Sequence, residues 1–388
     1  MRSAMIGRAP TILHRMHLAM LICLCLACAQ PARAAEWVVA QVAPLSGVLA
    51  TTGERMVLGV KLHFDAVNAA GGIHGRPIRH VVRDDGYRVD DTIALTRELL
   101  EGVKPIALIG YAGTANVTAL LGSGLFEKHR TVMVGPYTGG ESLRTPYNPY
   151  IFHVRASYED ETEHMVKQLT QLGSRRIAVL YQDDGFGRSG LVGVEAALKR
   201  RGLEPVATAA YDRVTADVSP AVEVLAAAEP SAIIMIAINR ATAEFARQYR
   251  GRDGRAQLFN ISVVNPQELV RLAGIEGVHG LGISQVVPYP YKGLLPVVRE
   301  YHAALARFAP PGTEPSYTCF ETFLAAKVLT EALRRLGPNA APRDVEAALE
   351  GLGRFDLGGF ELEYGPNRRS GSSFVDITVI GRTGQLMR

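Results

Sequence analysis

Residues 177–190 read IAVLYQDDGFGRSG: an apolar β-branched run, three polar residues (Gln182, Asp183, Asp184), then Gly185-x-Gly187-x-x-Gly190. A segment of helical period, LVGVEAALKRRG, follows. Strand, glycine turn and helix in that order are the unit of a parallel sheet, so this stretch decides for an α/β fold. Its chemistry is a separate matter. A dinucleotide loop sets its first glycine tight against the strand end, where backbone N–H groups and the helix dipole meet pyrophosphate. Here two carboxylates stand where phosphate charge would lie. The stretch therefore reads as a turn at the edge of a cleft, with Gly187 bending the chain into the helix and Phe186 offering its ring to an apolar solute.

The same alternation extends in both directions. Strands are expected at WVVAQVAP, IRHVVRDD, PIALIGY, TVMVGPY and IFHVRAS on one side, and at EPVATAAYD, SAIIMIAI and QLFNISV on the other. Helical stretches such as ERMVLGVKLHFDAVNAAGG and ATAEFARQYRGRDG separate them. Two similar blocks, 36–153 and 154–283, imply two doubly wound lobes with mainly parallel sheets, and open sheets of this kind hold ligands beyond the carboxyl ends of their strands. A helical section follows. The tail, GGFELEYGPNRRSGSSFVDITVI, reads as strand, turn, strand.

The first 34 residues read as a cleavable secretory signal: Arg2, Arg8 and Arg15, then the apolar run 18–29, then Ala32-Arg33-Ala34. Its removal takes away four of the 42 basic residues and leaves 38 against 38 acidic ones. A formally neutral chain without a basic stripe does not fit a nucleic-acid partner. Three of the four cysteines leave with the signal, so Cys319 has no partner for an internal disulfide and reads as a small buried residue. The histidines show no ligand spacing, and neither a metal nor a cofactor is expected.

Taken in order, PLSGVLATTGERMVLGVKLHFDAVNAAGGIHGRPIRHVVRDDGY, ALIGYAGTANVTAL, GPYTGGESLR, FHVRASYEDE, VLYQDDGFGRSG and GVHGLGISQVVPYP resemble the branched-chain amino-acid-binding proteins of ABC importers. These are type I periplasmic binding proteins, and the resemblance runs over 37–388. It implies two lobes joined by three crossovers, with lobe one at 36–153 plus 284–352 and lobe two at 154–283 plus 353–388. It further implies a periplasmic monomer that closes around a solute and docks on a membrane permease with its ATPase. A sensor that presents its closed form to a signalling partner is the alternative.

Lobe one suits a carboxylate on chemical grounds as well. GYAGTAN follows a buried strand and offers backbone N–H groups and a hydroxyl at a helix start. The resemblance assigns Ala112, Gly113 and Thr114 to the ligand carboxylate and places Pro136 (through its carbonyl), Tyr137 and Thr138 beside it. In the family that the sequence resembles, the loop of Ser46 closes over the ligand. In lobe two the resemblance implies an acid, to pair with a ligand ammonium, at the position of Ser262, and this departure opens an amine-free solute as an alternative to an amino acid. Thr52 and Asn239 (or Ile238) stand where rings are common, and Phe186 keeps one. An apolar carboxylate is expected: a hydrophobic amino acid, or an amine-free aromatic or aliphatic acid.

No Gly-x-Ser-x-Gly elbow or Walker lysine motif is present, and an enzyme is not expected. Asp84 and Asp85 read as caps of the next turn, Arg155 as a hinge or ligand residue, and Asp160 as an N-terminal helix charge.

Overall fold

A computed structural model describes residues 36–388; the signal segment expected at 1–34 lies outside the described residues. Strand β1 (Trp37–Ala43) is buried along nearly its whole length, as its apolar run requires of a strand covered on both faces. It pairs in parallel with β2 (Ile78–Asp84) and β3 (Ala107–Ile109). With β4 (Met133–Val134) and β5 (Ile151–Phe152) these make a five-stranded parallel sheet in the order β2-β1-β3-β4-β5.

The second sheet has seven strands, in the order Leu386–Met387, Asp376–Ile380, Gly282–Gln285, Gln257–Asn260, Ala232–Ile236, Ile177–Gln182 and Thr208–Tyr211. Strands β6 (Ile177–Gln182), β7 (Thr208–Tyr211), β8 (Ala232–Ile236), β9 (Gln257–Asn260) and β10 (Gly282–Gln285) are parallel. Strand β13 (Asp376–Ile380) lies antiparallel to β10, and β14 (Leu386–Met387) antiparallel to β13. Both sheets are thus of the doubly wound type, one in each of two lobes.

The chain passes between the sheets three times: after β5, after β10 and before β13. The first and third passages run side by side, with His153 N donating to Arg369 O (2.8 Å) and Gly371 N to His153 O (2.9 Å). Helices at Pro296–Phe308, Tyr317–Arg335 and Pro342–Glu350 pack on the first lobe, whose core holds Phe320, Leu324, Leu329 and Leu349.

The tail differs from the expected terminal hairpin. Strand β12 (Glu361–Glu363) pairs with β11 (Arg354–Asp356), not with β13. The β11–β12 ribbon buries Leu357, Phe360, Leu362 and Tyr364 in the first lobe's core, while β13 and β14 extend the second sheet. The apolar alternation was legible, but it cannot say which of two sheets a strand joins.

Candidate functional site

Two glycine turns face one another across the lobes. In the first lobe, β3 leads through Gly110–Gly113 into helix α3 (Thr114–Gly122), whose N-cap is Gly113 and whose first turn has no side-chain cap. Gly113 sits at φ +90°, and a Cβ there would stand 2.7 Å from the Tyr87 ring and 2.8 Å from Asn116 Oδ1. Only glycine fits, and the first N–H groups of α3 are presented without a side chain across them. Thr114 Oγ1 and Thr138 Oγ1 bond each other at 2.6 Å, and Thr138 Oγ1 accepts from Gly140 N at 3.1 Å.

In the second lobe, β6 leads into helix α6 (Gly185–Lys199), and Asp184 caps it: Oδ1 accepts from Phe186 N (2.9 Å) and Gly187 N (3.2 Å). The helix terminus that phosphate would use is filled by the chain's own carboxylate. The glycines serve packing. A Cβ on Gly187 would stand 1.9 Å from Gln182 O, and one on Gly190 2.6 Å from Ile236. Arg213 pairs with Asp184 (3.0 Å), crosses the lobes to donate to Tyr87 O (2.7 Å) and Asn116 Oδ1 (3.1 Å), and stacks 4.1 Å over the Tyr87 ring.

Between the turns is a small cavity. Leu49, Tyr87, Ala112, Gly113 and Tyr137 line it from the first lobe, and Tyr158, Phe186, Ile238 and Val263 from the second. No charged side chain is in this lining. Burial pushes the phenols of Tyr87 and Tyr137 well above their ordinary value, so both stay neutral donors. The rings of Tyr158 and Phe186 meet edge-on at 5.5 Å.

Behind Tyr137 lies a buried charge cluster. Arg155 and Glu161 are both 0% exposed and pair at 3.1 Å. Glu321, from the helix Tyr317–Arg335, faces Arg155 at 3.5 Å. Burial lifts the Glu321 carboxyl to about 7 against the pull of Arg155, with Glu161 adding to the rise. Burial opposes the charge on Arg155, yet Glu321 and Glu161 hold its guanidinium above the usual value.

Of the residues expected at the ligand, Ala112, Gly113, Tyr137, Phe186 and Ile238, the alternative to Asn239, line the cavity. Thr114 and Thr138 stand beside it and tie the two loops together. The others are placed differently. Pro136 O accepts from Thr138 N at 2.9 Å in a tight turn. Ser46 lies on an exposed turn whose N–H donates to Asp84. Thr52 and Asn239 bond each other across the lobes at 3.3 Å, lining a polar cleft next to the cavity. Ser262 belongs to the charge cluster, its N–H and hydroxyl both donating to Glu161.

Sequence reading missed Leu49, Tyr87, Tyr158 and Val263. Tyr87 had one signal, its place after Asp84-Asp85-Gly86 at a strand end. Asp85 fixes it there, accepting from Tyr87 N and Thr92 Oγ1, so this acid caps a turn. Asp160 forms a capping box with Ser157. Cys319 is buried, and burial pushes its thiol up to about 12. Among the described residues no three His, Cys, Asp or Glu side chains converge as metal ligands would, and no helix is long and apolar enough to cross a membrane.

Residues 36–383 match the family described as periplasmic binding protein. A substrate-binding periplasmic protein from Ralstonia solanacearum, known as a crystal structure, is 40% identical and superposes with a TM-score of 0.87 over 91% of this chain and 99% of its own. A possible leucine/isoleucine/valine-binding protein from Rhodopirellula baltica SH 1 is 28% identical, with a TM-score of 0.86 over 93% and 98% of the two chains. The Leu/Ile/Val-binding protein homolog 8 of Brucella abortus is 31% identical over 193 residues, 45% of each chain.

Proposed function

The chain belongs to the periplasmic binding proteins, of the type that serves branched-chain amino-acid ABC transporters, and from that premise we propose that it captures a small apolar carboxylic acid without an amine. It is a binding protein, not an enzyme. The observation that carries the ligand reading is the cavity wall: tyrosines, one phenylalanine and aliphatic side chains, with an uncapped helix start on one side and no carboxylate.

A ligand carboxylate leaves water only where donors replace its shell, and the first N–H groups of α3 supply them with the helix dipole behind. An ammonium needs acceptors or a counter-charge, and a buried one without them is strongly disfavoured. The apolar body of the ligand packs against Phe186, Tyr158, Leu49, Ile238 and Val263. Both lobes contribute, so the ligand favours the closed arrangement by the contacts it makes only there. The closed form then docks on a permease driven by an ATPase, which returns the solute to the cell.

A thermal-shift and calorimetry screen of the mature chain tests this, pairing leucine with isocaproate and phenylalanine with hydrocinnamate. The amine-free acid of each pair is expected to bind at least about tenfold more tightly than its amino acid. Tighter binding of the amino acids overturns the ligand reading.

A further inference from the structure

Two buried carboxylates lie directly behind a cavity wall that has none. Glu161 Oε1 accepts from Ser262 Oγ (3.0 Å) and Arg155 Nη2 (3.1 Å), and Oε2 from Ser262 N (2.8 Å) and Ser284 Oγ (2.5 Å). Arg155 Nη2 also donates to Ser262 Oγ. Glu321, 5% exposed, faces Arg155 Nη1 at 3.5 Å. The guanidinium carbon lies 5.2 Å from the Tyr137 ring centre and 5.7 Å from that of Tyr158, so it sits against two rings that form the wall.

These acceptors make a place for one cation, and the chain fills it itself. We infer that Arg155 is the specificity-determining residue of the cavity: its guanidinium occupies, from within, the cationic place among Glu161, Ser262 and Glu321 that a ligand ammonium would need. The protein thereby selects the apolar acid over its amine-bearing counterpart. The inference rests on the carboxylate reading above and explains how that choice is enforced.

Arginine suits the role better than lysine. Its planar group bonds Glu161 and Ser262 while lying against aromatic faces, and it stays charged at every physiological pH. An ammonium entering the cavity would meet this fixed positive charge instead of the acids. It would also find those acids already paired or, for Glu321, with much of its charge suppressed by burial. A role as a mere staple differs in its consequence. Arg155 joins Glu161 of the second lobe to Glu321 of the first, so as a staple its loss would weaken all ligands alike.

The test is the ratio of affinities for isocaproate and leucine, measured by calorimetry. In Arg155→Met the preference for the acid is expected to fall at least about tenfold from wild type, because Glu161 and Glu321 are then free to accept an ammonium. Arg155→Lys, which keeps the charge, is expected to hold the ratio within about threefold. Should Arg155→Met fail to fold, its combination with Glu161→Gln removes the pair together and leaves Glu321 to accept the amine, with the same tenfold fall expected. An unchanged ratio in the Met variants, with both ligands weakened alike, overturns the inference but leaves the acid reading intact. Loss of the preference in Arg155→Lys also overturns it. A wild-type protein that prefers leucine overturns the acid reading itself.

Discussion

The turns at Gly110–Thr114 and Asp184–Gly187 share one grammar, a buried strand running through glycine into a helix, and they meet on opposite walls of one cavity. Their electrostatics are opposite. Asp184 folds back on the second helix and takes its free N–H groups, and Arg213 then neutralises that acid. Nothing caps the first helix, because Gly113 has no side chain to do so. Glycine spacing therefore says where a helix starts near a strand end, and the residue before the first turn says whether an anion is welcome there.

The comparison breaks first at its glycines. Gly113→Ala sets a Cβ at φ +90° against the Tyr87 ring and Asn116, and ligand affinity is expected to fall about 100-fold or more by calorimetry. Gly185→Ala, whose Cβ would have its nearest neighbour at an ordinary 3.7 Å, is expected to stay within about threefold of wild type. Equal losses at the two sites would mean that the turns are not electrostatically distinct.

The charge cluster beneath the turns is separated from them by pH. Burial raises the Glu321 carboxyl from 4.5 to about 7 in the folded protein. The unfolded chain gives up that proton first, so the stability tied to a protonated Glu321 is full below pH 4.5 and is lost as pH rises to about 7. The buried His63, His80 and His153, whose folded-state values are lowered by burial, push stability the other way over the same range, so the Glu321 contribution is read as a difference: across that window wild type is expected to lose on the order of 1–3 kcal/mol relative to Glu321→Gln in urea titrations. A Gln variant with the wild-type slope would place the titration elsewhere.

A smaller effect follows from the cap. Asp184→Ala is expected to cost about 1–2 kcal/mol of unfolding free energy, and Asp184→Asn, which can still accept from the helix N–H groups, to recover most of it. If alanine cost nothing, the second turn would not be internally capped. The least effect is expected from Ser46→Ala, which removes a hydroxyl on an exposed turn outside the cavity and should leave affinity within about twofold.

Much of this was legible from residues alone. Runs such as IAVLYQ and SAIIMIAI are too apolar for anything but covered strands, and their alternation with helical periods led to two parallel sheets. Small residues and a hydroxyl after a buried strand suited the loop at 112–114 to an anion, while the family resemblance placed 137–138 beside it. What was hidden depends on distance in space. Ser262 looked like a missing acid, but the acid it touches, Glu161, lies 101 positions earlier in the chain. Tyr158 and Val263 carry no local mark, since any aromatic or aliphatic residue near a crossover reads as core. The split of the tail between two sheets was hidden for the same reason.

The central claim is that an apolar carboxylate is held at the uncapped start of α3. A crystal structure of the mature chain with isocaproate tests it most directly. The account predicts both carboxylate oxygens within hydrogen-bond distance of backbone N–H groups at residues 113–116, with the alkyl end against Phe186. A carboxylate found instead on Arg213, or at the start of the helix that Asp184 caps, would contradict it.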